Sequence, residues 1–154
     1  MRTSKAIQIK ILCLFLLVLG FQAIQAAEPA AGTARETLPY SLGIPVFPNE
    51  QALKFWIRER LPLSKLVELE REGRRVCIAL APVGTGRFVT TVYIFITDRT
   101  SGAWGVAAVW QTYTSKVNVY PPKGGKELTF KSKSGKVLFR VPFEALEPKT
   151  NSDY

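Results

Sequence analysis

Few side chains in this sequence are equipped for chemistry. The 154-residue chain contains no histidine. That excludes serine–histidine–aspartate and cysteine–histidine catalysis, and imidazole-ligated metal sites with them. Of the two cysteines, Cys13 lies in the N-terminal apolar run and Cys77 lies within Val76-Cys77-Ile78-Ala79-Leu80-Ala81. A thiol in such surroundings is expected to be a buried, inert packing group. Carboxylates remain. Glu68, Glu70 and Glu72 crowd one stretch, and on a helix Glu68 and Glu72 would stand one turn apart, close enough to share a divalent cation. A solvated acidic helix face explains the same residues more simply. Carboxylates for glycoside hydrolysis would have to face each other across a cleft, and nothing in the pattern points there. The expectation is a protein that is not an enzyme and uses no cofactor or metal.

Two short motifs have structural explanations. Gly84-Thr85-Gly86-Arg87 is reminiscent of a phosphate-cradling loop but lacks the Lys-Ser/Thr ending and a following helix, so a hairpin turn is expected. Lys133-Ser134-Gly135 matches one box of the serine enzymes that react with β-lactams. The Ser-x-x-Lys nucleophile box that accompanies it is absent after residue 26. Trp104 and Trp110 are expected on one strand face, where exposure would let them stack on sugar rings and burial would make them core. One constellation carries binding chemistry: Lys116, Lys131, Lys136 and Arg140, with Tyr120 among them, fall on outward positions of neighbouring strands. Lysines there guard against edge-to-edge aggregation. They also make a cationic platform for an acidic partner.

The elements that would carry this platform follow from periodicity. Asn49 is a helix N-cap with Glu50 in the first turn. Leu53, Trp56, Ile57 and Leu61 share one face, and Pro62 interrupts. Ser64 is read as the cap of a second short helix carrying Leu66, Val67 and Glu70, with Gly73 as its stop. From Arg75 the period becomes two. Six strands are expected, over 76–82, 88–97, 103–113, 116–120, 126–132 and 136–142, joined by short turns rich in Gly, Ser, Asp and Pro.

The first three strands are apolar on both faces and should be central. In the third, Gly105 and Ala107 should let a helix approach closely. The last three alternate, with Val117, Val119, Leu128, Phe130, Val137, Phe139 and Val141 inward and the basic residues outward. The fold class is α+β: an N-terminal helical pair packed on a curved antiparallel meander of about six strands. A β-sandwich or partly open barrel with an added helix is the alternative.

The N-terminus predicts where the protein works. Arg2, Lys5 and Lys10 precede the nearly unbroken apolar run from Ile11 to Gly20, and Ala26 closes a small-residue exit. These are the three parts of a secretory signal peptide. The 14 residues from Ile11 to Ile24 already include Gln22 and fall short of the about 20 apolar residues of a spanning helix. The expected organisation is a cleaved signal over 1–26, a flexible lead-in over 27–37, one globular domain over 38–148 and a tail over 149–154.

Cleavage would leave 128 of the 154 residues, with 18 basic against 12 acidic side chains and a net charge of +6. Cys77 alone remains, so no internal disulfide can form. An exported, periplasmic or secreted, basic and non-enzymatic chain suits an inhibitor or immunity-type protein that binds an acidic protein or an anionic envelope component. Two rival expectations are a carrier of an apolar ligand or lipid and a binder of an envelope polymer or carbohydrate. Nucleic acid is not expected as a partner, nor a transmembrane helix in the mature chain.

Overall fold

In a computed structural model the described residues are 34–37, 43–83, 89–120 and 125–149. The expected signal over 1–26 and the Gly84–Arg87 turn lie outside them. The described residues form one α-helix and eight strands in two antiparallel sheets. Chain order is β1 (Ala34–Thr37), α1 (Glu50–Arg60), β2 (Lys65–Arg71), β3 (Arg74–Val83), β4 (Val89–Thr97), β5 (Trp104–Thr112), β6 (Val117–Tyr120), β7 (Glu127–Ser132) and β8 (Val137–Pro142). The first sheet runs β1-β5-β4-β3-β2, and the second runs β6-β7-β8. Each of the six expected strands is present to within two residues. The fold is therefore α+β and strand-rich, and the helical pair is corrected to a single helix.

Helix α1 forms as its residues dictate. Asn49 Oδ1 accepts a hydrogen bond from the Ala52 amide at 2.9 Å, which satisfies one of the free donors of the first turn. Arg58 and Arg60 in the last turn suit the negative end of the dipole. Leu53 and Ile57 are buried, each contributing about 1.5–3 kcal/mol of apolar burial. They pack with Phe47, Cys77, Ala79, Phe95, Trp104 and Val109 on one face of the first sheet. Asn49→Ala should cost about 1 kcal/mol, read as a lowered urea midpoint at unchanged slope.

The stretch expected as a second helix is strand β2. Lys65 to Arg71 pairs with Leu80 to Arg74. Val67 and Leu69 turn into the core while Glu68 and Glu70 stay exposed, a period of two. Glu72 and Gly73, at φ of 52° and 70°, make the two-residue turn of a hairpin, the geometry of a primed turn. Gly73 thus permits a left-handed turn rather than ending a helix. At the other edge Ala34–Thr37, within the stretch expected as lead-in, pairs with Val109–Thr112.

The other face of the first sheet shares a buried cluster with the second sheet. Val76, Ile78, Leu80, Val92, Ile94 and Ile96 meet Val117, Leu128, Phe130, Phe139 and Val141. Three stacked rings run through it: Trp110 lies 4.4 Å from Phe139, which lies 4.3 Å from Phe130. Strands β3, β4 and β5 are consequently covered on both faces, as their doubly apolar sequences require.

Two bulges break strict alternation. Ile94 pairs with Ala108 but Phe95 pairs with Val106, leaving Ala107 as the extra residue. The facing of β5 reverses there. Trp104 joins the helix-side cluster and Trp110 the sheet-side one, so they do not share a face. Gly105 faces away from α1. A Cβ there would lie 2.6 Å from Pro148 Cβ. Its lack of a side chain admits the segment 146–149, not a helix. Arg74, buried, holds that segment by donating to Leu146 O at 2.8 Å and to both Glu147 carboxylate oxygens at 3.0 and 3.1 Å.

Candidate functional site

The open face of the second sheet is built from alternate residues of three short strands. The register aligns Asn118, Lys131 and Val137 in one row, and Tyr120, Thr129 and Arg140 in the next. Tyr120 is 48% exposed, and the Lys131 ammonium lies 4.8 Å from its ring centroid. That cation–π contact holds the lysine stem over an aromatic surface. Arg140 stands exposed across Thr129 from Tyr120. Exposed Glu127, opposite Pro142, marks the rim.

Of the five expected binding residues, Tyr120, Lys131 and Arg140 come together here. Lys136 does not. The second bulge pairs Phe130 with Phe139 but Lys131 with Val137, and Ser132 N–H donates to Lys136 O at 2.9 Å. Lys136 is therefore in register with buried Ser132, and Val137, expected inward, takes the outward position beside Lys131, 38% exposed. Lys116 is exposed just before β6 and lines a groove at the end of the two sheets. Lys65, on the groove's other side, was hidden from sequence reasoning because its segment reads as a helix.

The acidic stretch lacks the helical pairing expected to let two carboxylates share a cation. Glu68 lies on β2 and Glu72 in the turn after it, so the spacing of one helical turn does not exist. Lys54 Nζ contacts Glu50 and Glu68 carboxylates at 2.7 Å each, and Arg75 Nη2 contacts Glu50 at 2.5 Å. Lys54 and Arg75 hold the Glu50 carboxyl below the usual range. The Arg75 guanidinium also sits 5.6 Å from the Trp104 ring centroid. Beneath this network Cys77 is buried. Desolvation foremost, and then the negative charge of Glu68, push its thiol up to about 12, so it stays protonated and unreactive near neutral pH.

A cleft of about 660 Å³ runs past Glu50, Arg75, Asp98 and Arg99. Its charges are of both signs and engaged locally: Arg75 with Glu50, Arg99 within 3.8 Å of Glu147, and Asp98 as acceptor from Thr100 N–H, Ser101 N–H and Ser101 Oγ. The open sheet face combines a net positive charge with an exposed aromatic, and the cleft does not.

Trp104 is buried and Trp110 is half-buried against the second sheet. One face of the Trp110 ring is taken up by its stack on Phe139. No helix among the described residues is long and apolar enough to cross a membrane. Comparison of the chain with protein-family models, with curated proteins and with solved structures finds no match in any of the three.

Proposed function

We propose that this protein is exported, loses residues 1–26, and acts without catalysis as an inhibitor or immunity-type protein. It binds an acidic protein through the open face of its second sheet. The observation that carries this reading is the juxtaposition of Tyr120, Lys131 and Arg140 on one exposed surface. Tyr and Arg are the side chains that most often anchor protein interfaces, because each couples a large contact area to directional polar groups. A rigid sheet presents them with little ordering cost. Support for a binding rather than a catalytic role comes from the chain's lack of histidine and the inert state of Cys77.

The carrier reading has less support, since stacked Trp110, Phe139 and Phe130 fill the space between the sheets. The carbohydrate reading has less as well, given where Trp104 and Trp110 lie. An anionic envelope component is the remaining rival for the same surface.

The test is affinity capture from envelope and culture fractions, with wild type beside a Tyr120→Ala/Lys131→Glu/Arg140→Glu variant. One acidic protein should be retained by wild type and lost from the variant, with affinity falling by about a hundredfold or more. Its capture should weaken as salt is raised. Equal capture by both baits would remove the sheet face from consideration.

A further inference from the structure

At one end the two sheets part into a groove of about 370 Å³. Leu63, Leu80, Pro82 and Val117 form its apolar walls. Leu63 is 80% exposed, so its side chain is available at the mouth of the groove. Lys65 and Lys116 flank the groove, one beside each sheet, and among the described residues its lining holds no carboxylate. Neither lysine has an ion-pair partner among the described residues.

The groove also touches the first residues of two edge strands. Lys65 begins β2, the edge of the first sheet, and Lys116 immediately precedes β6, the edge of the second. An edge strand presents unpaired backbone donors and acceptors. Apolar walls, two unopposed cations and a free edge call for three things in one ligand: aliphatic side chains, carboxylates and an extended backbone. A long acyl chain supplies no backbone hydrogen bonds, and the interior below the groove is packed.

We propose that this groove receives an extended acidic segment of the protein partner, laid beside β6 as an added strand. Alternate residues of a strand point to opposite sides, so aliphatic side chains can rest on exposed Leu63 and Pro82 while the intervening carboxylates meet Lys65 and Lys116. This is strand addition, in which backbone bonds give affinity and side-chain pockets give specificity. It rests on the reading of the partner as an acidic protein and names the segment it offers.

The experiment uses the purified protein and a short rhodamine-labelled peptide alternating Asp and Val, followed by fluorescence anisotropy. A counterpart with Asn for Asp serves as the neutral control. Saturable binding is expected for wild type and for Arg140→Ala, which alters the open face on β8 without touching β6. Lys65→Glu/Lys116→Glu should weaken it about tenfold or more, Lys65→Gln/Lys116→Gln by less, and the neutral peptide should bind more weakly. Bound peptide should slow amide exchange within Val117–Tyr120. Both lysines are exposed, so circular dichroism should show all variants folded.

Absence of saturable binding overturns the groove assignment, whatever affinity capture shows. Loss in Arg140→Ala with no change in the lysine variants overturns it too, and moves the peptide to the open face. Peptide binding that depends on Lys65 and Lys116, beside equal capture of the partner by both baits, would keep the groove and remove the face.

Discussion

Phe130→Ala should cost about 3–5 kcal/mol, the range for truncating a fully buried aromatic. Phe130 is 0% exposed and sits at the end of the three-ring stack that crosses from β7 through β8 to β5. Its loss removes transfer energy, opens a cavity that stiff neighbouring strands cannot fill, and takes away the parallel contact with Phe139. Domains of this size have about 5–15 kcal/mol to lose, so a large share of stability goes with one ring. The measurement is urea unfolding followed by tryptophan emission, which Trp110 reports directly. A change below about 1 kcal/mol would mean that the two sheets do not depend on this stack.

Arg74→Met should cost about 2–4 kcal/mol, the scale of breaking a buried, charge-assisted network. The guanidinium is 4% exposed and binds Leu146 O, Glu147 and, at 3.2 Å, Thr97 O. Methionine retains much of the packing volume but leaves the Leu146 carbonyl without its donor. Glu147 itself is 56% exposed on its side chain and water can solvate it, which keeps the cost below that of a fully enclosed pair. Gly105→Ala acts on the same segment from the other side, by forcing Pro148 away. Each substitution frees what the other was meant to disturb, so the double variant should lose less than the sum of the two. Strict additivity in urea melts would show that Arg74 and Gly105 hold the segment independently.

Much of the strand pattern was legible because alternation is a local property. Asn49 was legible as a cap for the same reason, since the hydrogen bond it makes spans three residues. The stretch 65–71 misled because Ser64, Leu66, Val67 and Glu70 satisfy a helical template as well as a strand. The choice is made by β3, which offers a ladder of seven residue pairs, and by a turn whose first central residue is glutamate, an uncommon choice at positive φ.

The candidate site was legible in part. Tyr120, Lys131 and Arg140 obey simple alternation and arrive together. Lys136, Val137, Trp104 and Trp110 lie beyond a bulge from their neighbours, and one extra residue reverses every facing after it. Nothing in the composition of Val106-Ala107-Ala108 or of Val137-Leu138-Phe139 marks the insertion. Lys65 joins Lys116 only because two separate sheets bring their edges to one place, a relation between segments that no window on the chain contains.

The placement of β1 and of residues 146–149 has a consequence for the order of events in folding. Strands β2 to β5 follow one another and can close as successive hairpins. β1 cannot dock until β5 exists, since Ala34 pairs with Thr112, 78 positions later (34 against 112). The 146–149 segment needs both β5, where Lys149 N–H bonds Val106 O, and Arg74, 73 positions before Glu147. The earliest and latest described segments are therefore placed last, and these long closures set the pace of completion. Meanwhile β5 keeps an open edge that a second chain could capture. For a protein exported as proposed, the same delay keeps the chain threadable until almost all of it has been made.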